Sequence, residues 1–163
     1  WGFVPNWYRE VNGGPLLINA RSETIAKKPA FSNASRARRC LIPCSGFYEW
    51  SKDLEGNKIP WFISRNDNAP MVFGGVWQEW SDESGKIKTC AIVTTASNSN
   101  LSKIHHRLPL VLERSDWGLW LGEEGHGASV LMKPTDDETL RAYRVSKNIN
   151  SNRSSGPDLI SPI

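Results

Sequence analysis

Arg39-Cys-Leu-Ile-Pro-Cys-Ser-Gly-Phe-Tyr-Glu-Trp50 is the most strand-like segment of the chain, with apolar side chains on both of its faces. In an extended conformation side chains alternate between faces, so Leu41, Pro43, Ser45, Phe47 and Glu49 share one side and Ile42, Cys44, Gly46, Tyr48 and Trp50 the other. Both faces are largely apolar, as in a strand covered on both sides, and Glu49 then stands in the interior beside Leu41 and Phe47. Desolvation disfavours a charged carboxylate there and moves its pKa up, toward the range useful for general acid and base work. The alternative reading is an edge glutamate that faces water after a bulge at Gly46.

Working outward, the polar run Ser51 to Lys58, which contains Gly56, reads as a hairpin loop, and Ile59 to Arg65 as the returning strand. Met71 to Trp80 and Lys86 to Thr95 are two further strands joined by Ser81 to Gly85; Leu16 to Ile18 is a short strand ending at Asn19, and Leu110 to Leu112 and Leu140 to Ser146 complete the set. Ser22 to Lys28 has the character of a short helix stopped by Pro29, and a helical turn falls between Phe31 and Arg39. Asn98 caps a helix in which Leu101, Ile104, His105 and Leu108 recur at i, i+3, i+4 and i+7, with Pro109 as its stop. Ser115 caps a second, Asp116 to Leu121, that buries Trp117 and Trp120 or Leu121, and Ala128 to Met132 adds a turn. The pattern is a largely antiparallel meander with short helices, and the Asn-, Ser-, Gly- and Pro-rich segment 148–163 reads as a C-terminal loop.

At 163 residues, 39% hydrophobic and 23% charged, the chain fits one domain with a sizeable core. Twenty Lys and Arg against 17 Asp and Glu leave +3, too mild to announce a nucleic-acid binder, yet Arg36, Arg38 and Arg39 gather before the central strand with Lys27 and Lys28 upstream. Eight tryptophans suit a β-rich core or a stacking surface. The odd count of three cysteines, Cys40, Cys44 and Cys90, fits a reducing compartment; Pro43 interrupts the helix that would align Cys40 with Cys44, so they read as buried small side chains and no metal is expected. No apolar run approaches the length of a membrane span.

Three groups of residues carry chemistry: Asn19, Arg21 and Glu23 after a buried strand, Glu49 inside the sheet, and His105-His106-Arg107 at a helix end. A carboxylate, an imidazole, an amide and two guanidinium groups form the inventory of a site that handles an anionic substrate with proton transfer. Glu49 and His105 are the acid–base pair in this reading, and the arginines hold phosphate through their planar fork of donors.

Asn19-Ala-Arg-Ser-Glu-Thr24, Arg39-Cys-Leu-Ile-Pro43 running into Ser45-Gly-Phe-Tyr-Glu-Trp50, Ile104-His-His-Arg-Leu-Pro109, and Val145-Ser-Lys-Asn-Ile-Asn150 with Gly156-Pro-Asp-Leu-Ile160 resemble, in that order, the SRAP (SOS-response-associated peptidase) family. Four separated motifs in sequence make the likeness specific, and it runs from Trp1 to the C-terminus. The resemblance implies an α+β fold around a mainly antiparallel, β-barrel-like sheet with short flanking helices. It also implies binding to single-stranded DNA and covalent capture of abasic sites by an N-terminal cysteine, whose amine and thiol close a thiazolidine on the sugar aldehyde.

Carried over residue by residue, Asn19 orients the attacking N-terminus, Glu49 shuttles protons during Schiff-base formation, His105 assists opening of the sugar, and Arg21 and Arg107 contact flanking phosphates, with Arg38, Arg39 and Trp1 as further DNA contacts. His106 and Leu108 stand where the family frequently has aspartate and methionine. The chain begins at Trp1, inside the family's pattern, so a single N-terminally incomplete SRAP-like domain over residues 1–163 is expected. The expected partner is single-stranded DNA with abasic sites, bound by a monomer without cofactor or membrane, in a bacterial cytoplasm or a eukaryotic nucleus. The competing functions are a non-covalent single-stranded nucleic-acid-binding module and a self-processing peptidase.

Overall fold

The computed structural model describes every residue from Trp1 to Ile163. In chain order the elements are β1 (Asn19–Arg21), α1 (Ser32–Ala37), β2 (Arg39–Cys44), β3 (Phe47–Lys52), β4 (Lys58–Arg65), β5 (Met71–Asp82), β6 (Gly85–Ala96), β7 (Arg107–Pro109), α2 (Trp117–Leu121) and β8 (Leu140–Arg144). The α+β, sheet-dominated architecture read from the sequence holds. The strands form two open sheets, one in the order β1-β6-β5-β2 and one in the order β3-β4-β8, and neither closes into a barrel.

The stretch from Arg39 to Trp50 is two strands rather than one, broken at Ser45-Gly46. The break has a steric cause. A Cβ on Gly46 would lie 2.4 Å from the Phe62 ring and 2.6 Å from the Ile63 carbonyl oxygen, so the chain passes β4 at a distance only a hydrogen tolerates.

Residues group into two compact units. The first comprises Trp1–Ile42, Val72–Thr95 and Pro109–Lys133. Its sheet is antiparallel along the long β5–β6 hairpin and parallel between β1 and β6, and the pairing of β1 with β6 and of β2 with β5 departs from the expected meander, in which neighbours in sequence pair. The core gathers Phe3, Ile25, Phe31, Val76, Val93 and Trp120. Trp120 of α2 is fully buried, and its indole N–H donates to the Cys40 carbonyl at 3.0 Å. Gly122 ends α2 in the left-handed region at φ 87, where a Cβ is disfavoured. Residues 22–28 form turns and not the short helix expected, and the helix begins later, at Ser32.

The second unit comprises Pro43–Met71, Ala96–Leu108 and Pro134–Ile163. Its β3–β4 hairpin is set by Asp53, whose Oδ1 accepts the backbone N–H groups of Glu55 at 3.0 Å and Asn57 at 2.8 Å, a side chain that stands in for backbone in a turn. Lys52 therefore faces Lys58, and the register runs back through Glu49 opposite Trp61 to Phe47 opposite Ile63. β8 pairs on the far side of β4, with Trp61 opposite Arg144 and Phe62 opposite Tyr143. On one face Tyr48, Phe62 and Tyr143 form an aromatic row across the three strands, at centroid separations of 5.3 and 5.8 Å. Asn98 caps as expected, its Oδ1 accepting the Leu101 N–H at 3.1 Å, but the segment that follows is a run of turns and not a regular helix. Ser99 and Asn100 are instead fastened to Asp137, which diverts the backbone. Leu101, Ile104 and Leu108 are buried as the periodicity required. No helix is long and apolar enough to cross a membrane.

Candidate functional site: a carboxylate–imidazole pair

β3 and the turns before β7 bring Glu49 and His105 together within the second unit. Glu49 Oε1 lies 3.6 Å from His105 Nδ1, with the two side chains 22% and 37% exposed. Burial pushes the Glu49 carboxyl above the usual carboxylate range, and the His105 ring and the Trp50 N–H only partly oppose that rise. The direction is the one anticipated for a carboxyl among apolar neighbours.

The imidazole is oriented by its own chain. His105 Nδ1 lies 2.6 Å from the Arg107 carbonyl oxygen. The Arg107 N–H also points at Nδ1, at the longer distance of 3.3 Å; the shorter contact is to an oxygen that only accepts, which favours the tautomer with the proton on Nδ1 and the lone pair on Nε2. The spacing of two residues that makes this bond possible is visible in His105-His106-Arg107, but only the turn geometry shows that the carbonyl of Arg107, in addition to its guanidinium, belongs to the site. Arg107 itself is half-buried at the start of β7. His106 is exposed, its ring centroid 4.6 Å from that of His105.

In the first unit, β1 exposes Asn19 and Arg21 on one face and buries Ala20 on the other, the alternation of a half-covered strand. Trp1 is 74% exposed, yet its indole N–H donates at 3.0 Å to the carbonyl of Ile18, one residue before Asn19. That same oxygen accepts the Ile92 N–H at 3.1 Å, so the indole is tied to the backbone at the entry to β1.

The two arginines before the central strand have structural partners. Arg39 donates to the carbonyls of Trp120, Ser35 and Arg36, closing the last turn of α1 against α2, and burial lowers its pKa. Its guanidinium also lies over the Trp120 ring, 5.9 Å from the centroid. Arg38 donates to the Trp77 carbonyl at 3.3 Å and faces Gln78 Oε1 at 3.5 Å. Cys40, Cys44 and Cys90 are unpaired thiols; burial pushes Cys40 up to about 11 and also raises Cys44, so neither is a ready thiolate. No group of three or more His, Cys, Asp or Glu side chains is placed to hold a metal ion.

Fold and site together define a sheet-dominated α+β protein with a half-buried acid–base pair and exposed guanidinium, amide and indole groups. The SOS response associated peptidase (SRAP) family pattern matches residues 1–152, and the chain belongs to that family. It is 35% identical to the abasic site processing protein YoaM of Bacillus subtilis, over 98% of this chain and 72% of that protein. With the abasic site processing protein HMCES of Pongo abelii the identity is 29%, over 100% of this chain and 55% of that protein. Among solved structures, a protein from Bacteroides thetaiotaomicron superposes with a TM-score of 0.91 at 30% identity, covering 100% of this chain and 75% of that one.

Proposed function

We propose that this protein processes abasic sites in single-stranded DNA and that Glu49 and His105 move the protons of a covalent capture reaction. The observation that carries the reading is the pair itself: a carboxyl raised by burial, 3.6 Å from an imidazole whose Nδ1 is committed to a carbonyl. Relatives named for abasic site processing, matched over nearly the whole chain, support the choice of substrate.

The chemistry follows from the substrate. An abasic deoxyribose exists mainly as a closed hemiacetal, and opening it moves a proton from the anomeric hydroxyl and returns one to the ring oxygen, a transfer suited to the Nε2 lone pair of His105. The amine of an N-terminal cysteine then adds to the aldehyde carbon, and loss of water from the adduct leaves an imine. Glu49 takes the proton from the attacking nitrogen and delivers one to the departing hydroxyl. Finally the thiol sulfur bonds to the imine carbon, its proton passes to the nitrogen, and the closed five-membered ring traps the adduct at high effective concentration. Residues 1–163 supply the proton-transfer and binding groups of this scheme; the cysteine is not among them. Asn19 orients the attacking amine, and Arg21 and Arg107 neutralise flanking phosphates.

The test is a denaturing gel of protein incubated with an abasic single-stranded oligonucleotide. A protein carrying the family's N-terminal cysteine ahead of Trp1 should give a heat-stable adduct that forms more slowly in its Glu49→Gln variant, while residues 1–163 alone should give a band only after borohydride reduction. No band from the cysteine-bearing protein would remove the covalent mechanism and leave non-covalent binding. A heat-stable, unreduced band from residues 1–163 would mean that the nucleophile is elsewhere.

A further inference from the structure

On the Glu49 face of the β3-β4-β8 sheet, three residues stand in one line across three strands: Glu49 opposite Trp61, and Trp61 opposite Arg144. Directly paired residues project to the same side of a sheet, and strands lie about 4.8 Å apart, so the backbone of Arg144 stands about 10 Å from that of Glu49. Its middle member is a half-buried indole whose N–H donates to Ser51 Oγ at 2.9 Å. That bond satisfies the single polar atom of the ring and holds its edge, a fixed aromatic plane that loses little entropy on binding.

The opposite face has another character. There Tyr48, Phe62 and Tyr143 pack on one another, and Phe62 is buried. Trp61 forms no ring pair with the aromatic residue on its own face, Phe47; it stands between a carboxylate and an exposed arginine, and the cation–ring pairs of the molecule are Arg39 with Trp120 and Lys88 with Trp77. Arg144 thus projects into solvent beside the indole and does not cover it.

We infer that Trp61 and Arg144 form a subsite for a nucleotide adjoining the abasic position, its base stacked on the indole and its phosphate paired with the guanidinium. This rests on the function proposed above and extends it from the lesion to its neighbour. A ring plane next to a cation is the combination that recognises a nucleotide of any sequence, since every base has a π-face and every link a phosphate. The subsite therefore reads whether a base is present beside the lesion and not which base it is.

The experiment measures anisotropy with two single strands that carry a non-reactive tetrahydrofuran abasic analogue. In the first, ordinary nucleotides flank it; in the second, further tetrahydrofuran units do, which keeps the phosphates and removes the adjoining bases. Trp61→Leu should weaken binding of the first strand roughly 5- to 150-fold and leave the second nearly unchanged. Arg144→Gln should weaken both alike and reduce the slope of log K against log salt by about 0.7. Ser51→Ala, which frees the indole edge and keeps the ring, provides a second variant should Trp61→Leu melt early, with a smaller loss confined to the first strand. Equal losses on both strands for the Trp61 and Ser51 variants, or an unchanged salt slope for Arg144→Gln, would overturn the subsite while the site at Glu49 stood. A wild-type protein that bound neither strand would remove both.

Discussion

Gly46→Ala tests the steric account of the break between β2 and β3. The new methyl carbon would sit 2.4 Å from Phe62 Cζ, 2.9 Å from Phe62 Cε1 and 2.6 Å from the Ile63 carbonyl oxygen. Unstrained carbon pairs settle at about 3.5–4.0 Å, so the overlap is about 1 Å. Neither neighbour can yield. The Phe62 ring is flanked by Tyr48 at 5.3 Å and Tyr143 at 5.8 Å, and Ile63 is paired on both sides, with Phe47 and Ala142. Relief must come from moving β3 against β4, which places the cost at the upper end of the overpacking range, about 3 kcal/mol. At roughly 2–4 °C per kcal/mol for a chain of this size, the melting midpoint should fall by about 6–12 °C in circular dichroism. Gly56→Ala is the control. Gly56 lies in the β3–β4 loop at φ +85 with open space around it, so its alanine pays only for backbone conformation, about 1–2 kcal/mol. A Gly46→Ala midpoint within about 2 °C of wild type, or a smaller loss than Gly56→Ala, would refute the reasoning.

Glu49→Gln should stabilise the fold at mildly alkaline pH. A carboxyl whose pKa is raised in the folded state carries its desolvation penalty above that pKa and sheds it as pH falls through it, so the advantage of the variant should shrink as pH approaches the ordinary carboxylate range. Thermal melts of both proteins across that interval check the sign, and an advantage that grew on acidification would contradict it. Asp53 runs the other way. The Asn57 side-chain and backbone N–H groups lower its pKa, so the stability it contributes is present above the ordinary carboxylate range and lost as pH falls through the depressed value. Asp53→Ala should therefore melt below wild type at neutral pH, with the two curves converging in acid.

The sequence by itself determined the fold class, most strand positions and the functional candidates. It could do so because those features are local. Asn98 has the side chain of a cap, and a carboxylate in an apolar extended stretch calls for a raised pKa once that stretch is covered, whereas the short strand expected at Leu16 to Ile18 falls instead at Asn19–Arg21. Register was decided elsewhere. A loop drawn by polarity from Ser51 to Lys58 pairs Trp50 with Ile59 and sets Trp61 opposite Tyr48, whereas the Asp53 turn pairs Lys52 with Lys58 and sets Trp61 opposite Glu49. One residue of slip moves every side chain to the other face, and no local signal forbids it. The same holds for Arg39, whose sequence context suggests a basic surface and whose guanidinium is committed to the carbonyls of Ser35, Arg36 and Trp120. The Trp120 carbonyl lies 81 residues along the chain, and only the packing of α2 brings it within reach. Contacts between distant segments depend on how elements dock, and docking follows from the summed burial of many side chains rather than from any one of them.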